Sequence, residues 1–237
     1  MSLTRTCIVA GVGPGVGGAV ARAFSQLGFH VALLARSTSF TQSLAAELGN
    51  ATAVECDLSN EESIATAAKS IIANCPPVEV LLFNAGGSST FRPGTLLDIK
   101  PSELISTVTA RSMGPLAFAQ QILPGMVERK KGSVFFTGAT ASTRGSANFA
   151  FVAIPAFATK ALAESMAREF MPKGIHVSHL ILDGMVESKQ ARASMPQAGP
   201  DDLIQPKNVA EQYVMLHNQP KSAWTFELVI RPSVEKW

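Results

Sequence analysis

The sequence predicts an α/β fold: a doubly wound parallel sheet of about seven strands with helices on both faces. Three observations predict it. Short apolar runs rich in β-formers alternate with Ala-rich stretches along the chain. A glycine-rich turn joins the first apolar run to the first helical stretch. Apolar residues make up 46% of the 237 and charged residues 16%, which is enough apolar surface for a sizeable core and too little charge for a disordered tail or a solvated coiled coil.

Unbroken apolar runs, as opposed to alternating ones, mean strands covered on both faces, the pattern of a parallel sheet. Thr6 to Ala10 is the first such run, and Val16 to Leu27 follows with apolar residues at helical spacing. His30 to Ala35 is a second strand, Ser43 to Leu48 a short helix and Ala51 to Cys56 a third strand. Asn60 has the side chain to cap the next helix, which holds Ser63, Ile64 and Ala67. Val78 to Phe83 is a fourth strand, and a long helix runs from about Ser102 to Glu128, interrupted near Gly114-Pro115. Ser133 to Thr137 is a fifth strand, and Asn148 to Met171 is Ala-rich and helical despite Pro155. Ile175 to Leu182 is a sixth strand and Thr225 to Ile230 a seventh. No repeat or low-complexity segment divides the chain, so residues 1–237 are expected to form a single domain. Residues 183–206 carry Pro196, Pro200 and Pro206 and are expected to be a mobile excursion, not a linker.

Composition excludes several function classes. A net charge of +2 gives no electrostatic case for nucleic acid or an anionic membrane as partner. The longest basic run, Arg129-Lys130-Lys131, reads as a solvated helix end. Cys7, Cys56 and Cys75 are odd in number and lack metal-ligand spacing, so neither a disulfide framework nor a metal site is expected. A reduced, cytoplasmic setting fits them, with Cys7 and Cys56 as buried thiols in strands. Arg5 with the apolar stretch behind it faintly suggests a signal peptide, but Gly11, Gly13, Gly15, Gly17 and Gly18 break that stretch. No apolar run reaches the ~18 residues of a membrane span.

The glycines have a better explanation. Gly11-Val12-Gly13-Pro14-Gly15-Val16-Gly17 stands between a strand and a helix. Glycines there let the backbone turn tightly and approach a pyrophosphate, whose charge the helix N-terminus favours. The turn resembles the Thr-Gly-x-x-x-Gly-x-Gly of the short-chain dehydrogenase/reductase family, with Ala10 in place of the Thr. The likeness continues through Asp57-Leu58 after the third strand, Asn84-Ala85-Gly86 after the fourth (with Phe83 for the family's first Asn) and Met171 to Ile175 before the sixth. Phe136 to Ser142 is similar to a divergent subgroup. This resemblance implies a Rossmann-type fold and a nicotinamide cofactor held by Gly11, Gly13, Gly15, Val16, Gly17, Asp57, Leu58, Asn84, Ala85 and Gly86. NAD-specific members place an acid after the second strand. Here Ala35 is followed by Arg36, Ser37 and Thr38, which would receive a 2′-phosphate, so NADP(H) is expected over NAD(H) with Arg36 and Ser37 as its ligands.

The chemistry is where the chain departs from the resemblance. The family uses a Tyr as proton donor, a Lys four residues on that lowers its pKa, a Ser that orients the carbonyl and an Asn that supports a water relay. Aligned from Gly132-Ser133-Val134-Phe135 and from Ala167-Arg168-Glu169, the Ser, Tyr and Lys positions read Ala139, Val152 and Ala156. Judged from Gly114, the Asn position reads Arg111. A second register through Lys160 puts the Tyr at Ala156 and the Ser at Thr143, and also lacks a tyrosine. The chain's one tyrosine is Tyr213. Thr140, Ser142 and Thr143 read as loop hydroxyls bonded to backbone, and Lys160 as solvated or at a subunit contact. His179 and Asp183 stand near the sixth strand's end, where a catalytic part is the lesser reading. His30, His176 and His217 have no evident partner and read as structural or surface residues.

Three functions remain in competition: an NADP(H)-dependent oxidoreductase with an atypical site, a catalytically silent NADP(H)-binding sensor or partner subunit, and a structural subunit that binds no nucleotide. The first is expected to act on a small, partly apolar carbonyl compound under residues 183–206 as a lid, with Met185, Val186 and Met195 facing it. The resemblance also implies a homodimer or homotetramer through the two long helices.

Overall fold

A computed structural model of the chain describes residues 5–84, 94–199 and 201–235. Seven strands pair in parallel: β1 (Thr6–Ala10), β2 (His30–Ala35), β3 (Ala51–Glu55), β4 (Val78–Phe83), β5 (Gly132–Ala139), β6 (Ile175–Leu182) and β7 (Glu227–Ile230). They form one sheet in the order β3-β2-β1-β4-β5-β6-β7. The strands lack a regular apolar/polar alternation for a reason: all five residues of β1 and all eight of β6 are buried, His176, Ser178 and His179 among them. Successive side chains point to opposite faces, and each face meets helices.

On one face lie α3 (Glu61–Asn74), α5 (Gly114–Glu128) and α6 (Ala150–Phe170), around Ile8, Leu81, Phe136 and Val177. On the other lie α1 (Val16–Gln26), α2 (Ser39–Leu48) and α8 (Pro206–His217), around Val9, Leu33, Phe135 and Leu180. α4 (Pro101–Val108) precedes α5, and α7 (Lys189–Ser194) lies between β6 and α8. The strand order reverses between β1 and β4, so a crevice opens beyond their carboxyl ends. That is where open α/β sheets bind ligands.

The predicted strands hold, with β5 extended to Ala139 and β7 beginning at Glu227. Asn60 caps α3 as expected, its Oδ1 accepting from the Ser63 amide at 2.8 Å. The interruption before Gly114-Pro115 is a π-helical turn over Thr109–Met113. α8 was not foreseen, although Pro206 opens it and Val209, Ala210, Tyr213 and Leu216 make its buried stripe. Residues 183–206 are also more regular than expected: they hold α7, a parallel bridge between Val186 and Ile204, and an Arg192–Glu187 ion pair. α6 with its last turn, Ala150–Lys173, is long and apolar enough to cross a membrane by composition alone. Its apolarity has a local explanation, since Ala163, Met166 and Ala167 pack into the core under the sheet.

Several polar residues read as solitary have partners. His217 Nδ1 stands 3.0 Å from Ser133 Oγ and its Nε2 3.5 Å from Glu79. Lys131 also pairs with Glu79, at 2.9 Å, and Arg129 donates to the Val78 carbonyl, so the basic run is anchored and not merely solvated. His30 bonds with Thr52 at 3.0 Å, and buried His176 stacks on Trp224 and donates to the Thr225 carbonyl. Cys7 and Cys56 are buried free thiols, although Cys56 lies one residue beyond β3.

Candidate active site

The turn after β1 is shaped by the absence of side chains. Gly11 takes φ +92°, a left-handed conformation that glycine adopts without strain. A Cβ on Gly17 would meet the Gly11 carbonyl oxygen at 2.6 Å and Val12 Cα at 2.9 Å. Gly13 and Gly15 are different: a Cβ at either would meet nothing within 4 Å. Nothing in the described protein requires glycine there, so the space they leave open belongs to the crevice. Gly15 is the N-cap of α1, which has no side-chain cap and no acid in its first turn. Its amide end therefore presents donors and positive potential to that space.

A directed chain of hydrogen bonds holds the turn from below. The Gly11 carbonyl can only accept, and Asn84 Nδ2 donates to it at 3.1 Å. That fixes Asn84 Oδ1 as the acceptor of the Thr137 hydroxyl, at 3.0 Å. Thr137 Oγ1 then accepts from the Tyr213 hydroxyl, at 2.7 Å. Tyr213 is wholly buried, and burial pushes its phenol well above the ordinary value. The chain's one tyrosine is thus a structural donor in α8.

The far end of the crevice is charged. Arg36 and Ser37 are exposed at the end of β2. Asp57 Oδ1 accepts from the Ser59 hydroxyl at 2.7 Å and the Ser59 amide at 2.9 Å. Those bonds, with a further contribution from Arg36, hold the Asp57 carboxyl below the usual range. Gly114 lies so close under the Leu58 carbonyl that no side chain fits between them, which locks the Asp57-Leu58 loop to the start of α5. Gly11, Gly13, Gly15, Val16, Gly17, Arg36, Ser37, Asp57, Leu58 and Asn84 all line one cleft of about 1160 Å³. Ala85 and Gly86 lie outside the described residues. The cleft also takes in Phe40, Phe151 and one side of α4 (Ser102, Ser106), which sequence reasoning missed. The signal was a run of small residues four apart, Ser102 and Ser106 in α4 and Ala110 in the π-helical turn that follows.

Of the four residues expected at the family's catalytic positions, only Arg111 lines the cleft. It sits in the π-helical turn, half-buried, and burial presses its guanidinium pKa below the ordinary value. Ala139 ends β5, and Val152 and Ala156 lie in α6, with Ala156 buried. None of these three side chains can donate or accept a proton.

The remaining polar candidates are engaged, except that both ring nitrogens of buried His179 lack a hydrogen-bond partner among the described residues. Lys160 pairs with Glu227 of β7 at 2.7 Å, stays partly exposed and does not line the cleft. His179 is buried, its Nδ1 3.7 Å from Glu227, and burial lowers its pKa while Glu227 partly offsets that. Asp183 accepts from Thr140 Oγ1 at 2.5 Å and pairs with Arg231, tying together the ends of β5, β6 and β7. Thr140 is therefore bonded to a side chain, whereas Thr143 bonds the Thr140 carbonyl and Ser142 accepts from the Ala139 amide, as loop hydroxyls do.

Comparison with known proteins places this arrangement. A family model described as short chain dehydrogenase matches residues 5–198. Carbonyl reductase family member 4 of Xenopus laevis is 23% identical over 224 residues, 92% of this chain and 93% of that protein. A crystal structure of a short-chain dehydrogenase from Rhodopseudomonas palustris is 33% identical, with a TM-score of 0.81 over 96% of this chain and 98% of that one. A metagenomic short-chain oxidoreductase, solved in complex with NADP, superposes with a TM-score of 0.83 over 99% of this chain and 100% of its own at 24% identity, a likeness of fold.

Proposed function

The chain belongs to the short-chain dehydrogenase family, and on that footing we propose that it binds NADP(H) and acts as an oxidoreductase on a small carbonyl compound. One observation carries the nucleotide part: the open space at Gly13 and Gly15, bounded by the uncapped end of α1. A pyrophosphate would occupy that space and take the free amides. Arg36 and Ser37 would take the 2′-phosphate, with no acid at the end of β2 to repel it. Asp57 and Leu58 would hold the adenine end, and Asn84 keeps the turn in shape. The nicotinamide, when bound, supplies a hydride.

What the chain does not supply is a side-chain proton donor at Val152, or a lysine at Ala156 to activate one. The proton then comes from water. Losing a positioned acid typically costs ~10²–10⁴ in rate, while binding and orientation survive. A slow reductase, best on activated carbonyls, is the expected behaviour. The same reading expects residues 183–206 to act as a lid. It also expects association through α4 and α6, where Ile105, Ile154 and Phe157 stay 66%, 47% and 44% exposed.

The test is a fluorescence titration of the protein with NADPH, with NADH in parallel. Tight binding of NADPH and weak binding of NADH is the expected result; binding of neither overturns the proposal. A second reading, a silent NADP(H)-binding sensor or partner subunit, is favoured by the apolar side chains at Ala139, Val152 and Ala156 together. It predicts NADPH binding with no NADPH oxidation across a broad panel of aldehydes, ketones and activated alkenes.

A further inference from the structure

The least explained charge in the cleft is Arg111. It is half-buried and lines the same wall as Ser106 and Ala110. Its guanidinium makes no hydrogen bond or ion pair among the described residues; only its backbone carbonyl is engaged, accepting from Thr159 Oγ1 at 3.0 Å. The two acids that line the cleft are already committed, Asp57 to Ser59 and Glu103 to Lys100 at 3.6 Å. An Arg cannot discharge itself in a protein. A partly desolvated guanidinium without an anion is costly, so such a group marks a place where an anion arrives with the ligand.

The cofactor's own phosphates have donors elsewhere under the proposed function: the glycine turn for the pyrophosphate and Arg36 for the 2′-phosphate. Arg111 lines the same cleft from another element, the π-helical turn whose backbone is bound to α6 through Thr159. Thr159 lies one helical turn from Ala156 on the same side of α6. Arg111 thus lines the cleft from a turn whose backbone is braced by α6, the helix that carries Val152 and Ala156.

We propose that Arg111 recognises a carboxylate on the substrate, so that the site takes oxo acids in preference to neutral carbonyl compounds. The planar fork of the guanidinium matches a carboxylate with two parallel hydrogen bonds. This rests on the nucleotide reading above, because it assigns the phosphates to other residues. The pyrophosphate is the other source of the same anionic chemistry, and the test separates the two.

The probes are pyruvate, acetoacetate and levulinate (2-, 3- and 4-oxo acids), each paired with its methyl ester. Binding to the NADPH complex is followed by fluorescence, and binding to the free protein by thermal shift. Arg111→Asn is the principal variant, since the resemblance puts an Asn there and the fold accommodates it; Arg111→Lys keeps the charge without the fork. At least one oxo acid should bind the wild-type protein about tenfold or more tighter than its ester. Arg111→Asn should abolish that preference, a loss of ~10–100-fold on the acid, with ester and NADPH affinities within about twofold of wild type. Arg111→Lys should retain part of it. If no acid outbinds its ester, the proposal is wrong. If Arg111→Asn weakens NADPH as much as the acid, the anion is the cofactor's pyrophosphate and the proposal is equally wrong. Failure of NADPH to bind the wild-type protein condemns the nucleotide reading instead, and the thermal-shift arm still decides whether Arg111 selects acids.

Discussion

Replacing Tyr213 by Phe asks whether the chain's one tyrosine is a structural donor or the missing acid. In the structure its hydroxyl gives one hydrogen bond, to Thr137 Oγ1 at 2.7 Å, from a side chain with no exposure. Tyr213→Phe removes that donor and leaves Thr137 still donating to Asn84. One neutral buried hydrogen bond is worth ~0.5–1.5 kcal/mol, or a fall of roughly 2–4 °C in Tm per kcal/mol for a chain of this size. Thr137→Val should cost more, because it strands both neighbours: Asn84 Oδ1 loses its donor and the Tyr213 hydroxyl its acceptor. Two stranded groups, the wholly buried Tyr213 hydroxyl and the part-buried Asn84 amide, at ~1–3 kcal/mol each give roughly 2–6 kcal/mol. Urea unfolding of the two variants and of the double variant gives the coupling directly. NADPH titration should show Tyr213→Phe within about twofold of wild type and Thr137→Val weakened, since Asn84 then loses the bond that aims it at Gly11. Equal losses in stability from the two single changes would refute the directed chain. A Tyr213→Phe protein that binds NADPH normally but loses ~10²-fold or more of its turnover would refute the structural role of Tyr213 itself.

The turn offers a sharper contrast. Gly13→Ala meets open space and should leave the free protein as stable, or ~0.4–1 kcal/mol more so through the unfolded chain, yet lower NADPH affinity by crowding the pyrophosphate; unchanged affinity would mean that the space is not a ligand's. Gly17→Ala collides with the Gly11 carbonyl and should lower both stability and affinity, read by thermal melt and titration. Arg36→Ala should weaken NADPH by ~10–100-fold and leave NADH unchanged, so equal losses for the two cofactors would argue against a 2′-phosphate contact. Glu79 should govern the acid limb of stability. His217 first, then Lys131 and Arg5, hold its pKa down to about 2 from 4.5, against burial, which raises it. A depressed carboxylate pKa stabilises the fold above the unfolded value and loses that contribution as pH falls from about 4.5 to about 2. Glu79→Gln should therefore be less stable at pH 7 and show a flatter decline across that window; an unaltered limb would show that other carboxylates set it.

Strands were the most legible part of the fold. β1, β2, β4 and β6 have the bounds that their mainly apolar runs predict, because burial on both faces keeps most of their residues apolar. The turn was legible because its glycines answer a local demand, at Gly11 and Gly17, of one short stretch of backbone. α8 carried a readable stripe at Val209, Ala210, Tyr213 and Leu216 and a proline at its start, and still went unread behind a segment rich in prolines. The partners of His217, Lys160 and Asp183 could not be read at all. Each lies far along the chain or on another strand: Ser133 is 84 residues from His217, and Thr140 is 43 from Asp183.

The sequence by itself determined the class of fold, the position of the glycine turn, the cation at the end of β2 and the presence of one tyrosine, Tyr213, late in the chain. These are properties of residue type and local spacing, which periodicity and steric demand make readable one segment at a time. Only the tertiary structure decided that Tyr213 supports Asn84 from beneath the sheet, that Lys160 and Asp183 are engaged, and that Arg111 alone of the four residues expected at the family's catalytic positions lines the cleft. Those are relations between segments separated by dozens of residues. The order of the strands brings them together, and whether a charge meets a partner or an open cleft follows from that order, not from the residue's own neighbours in the chain.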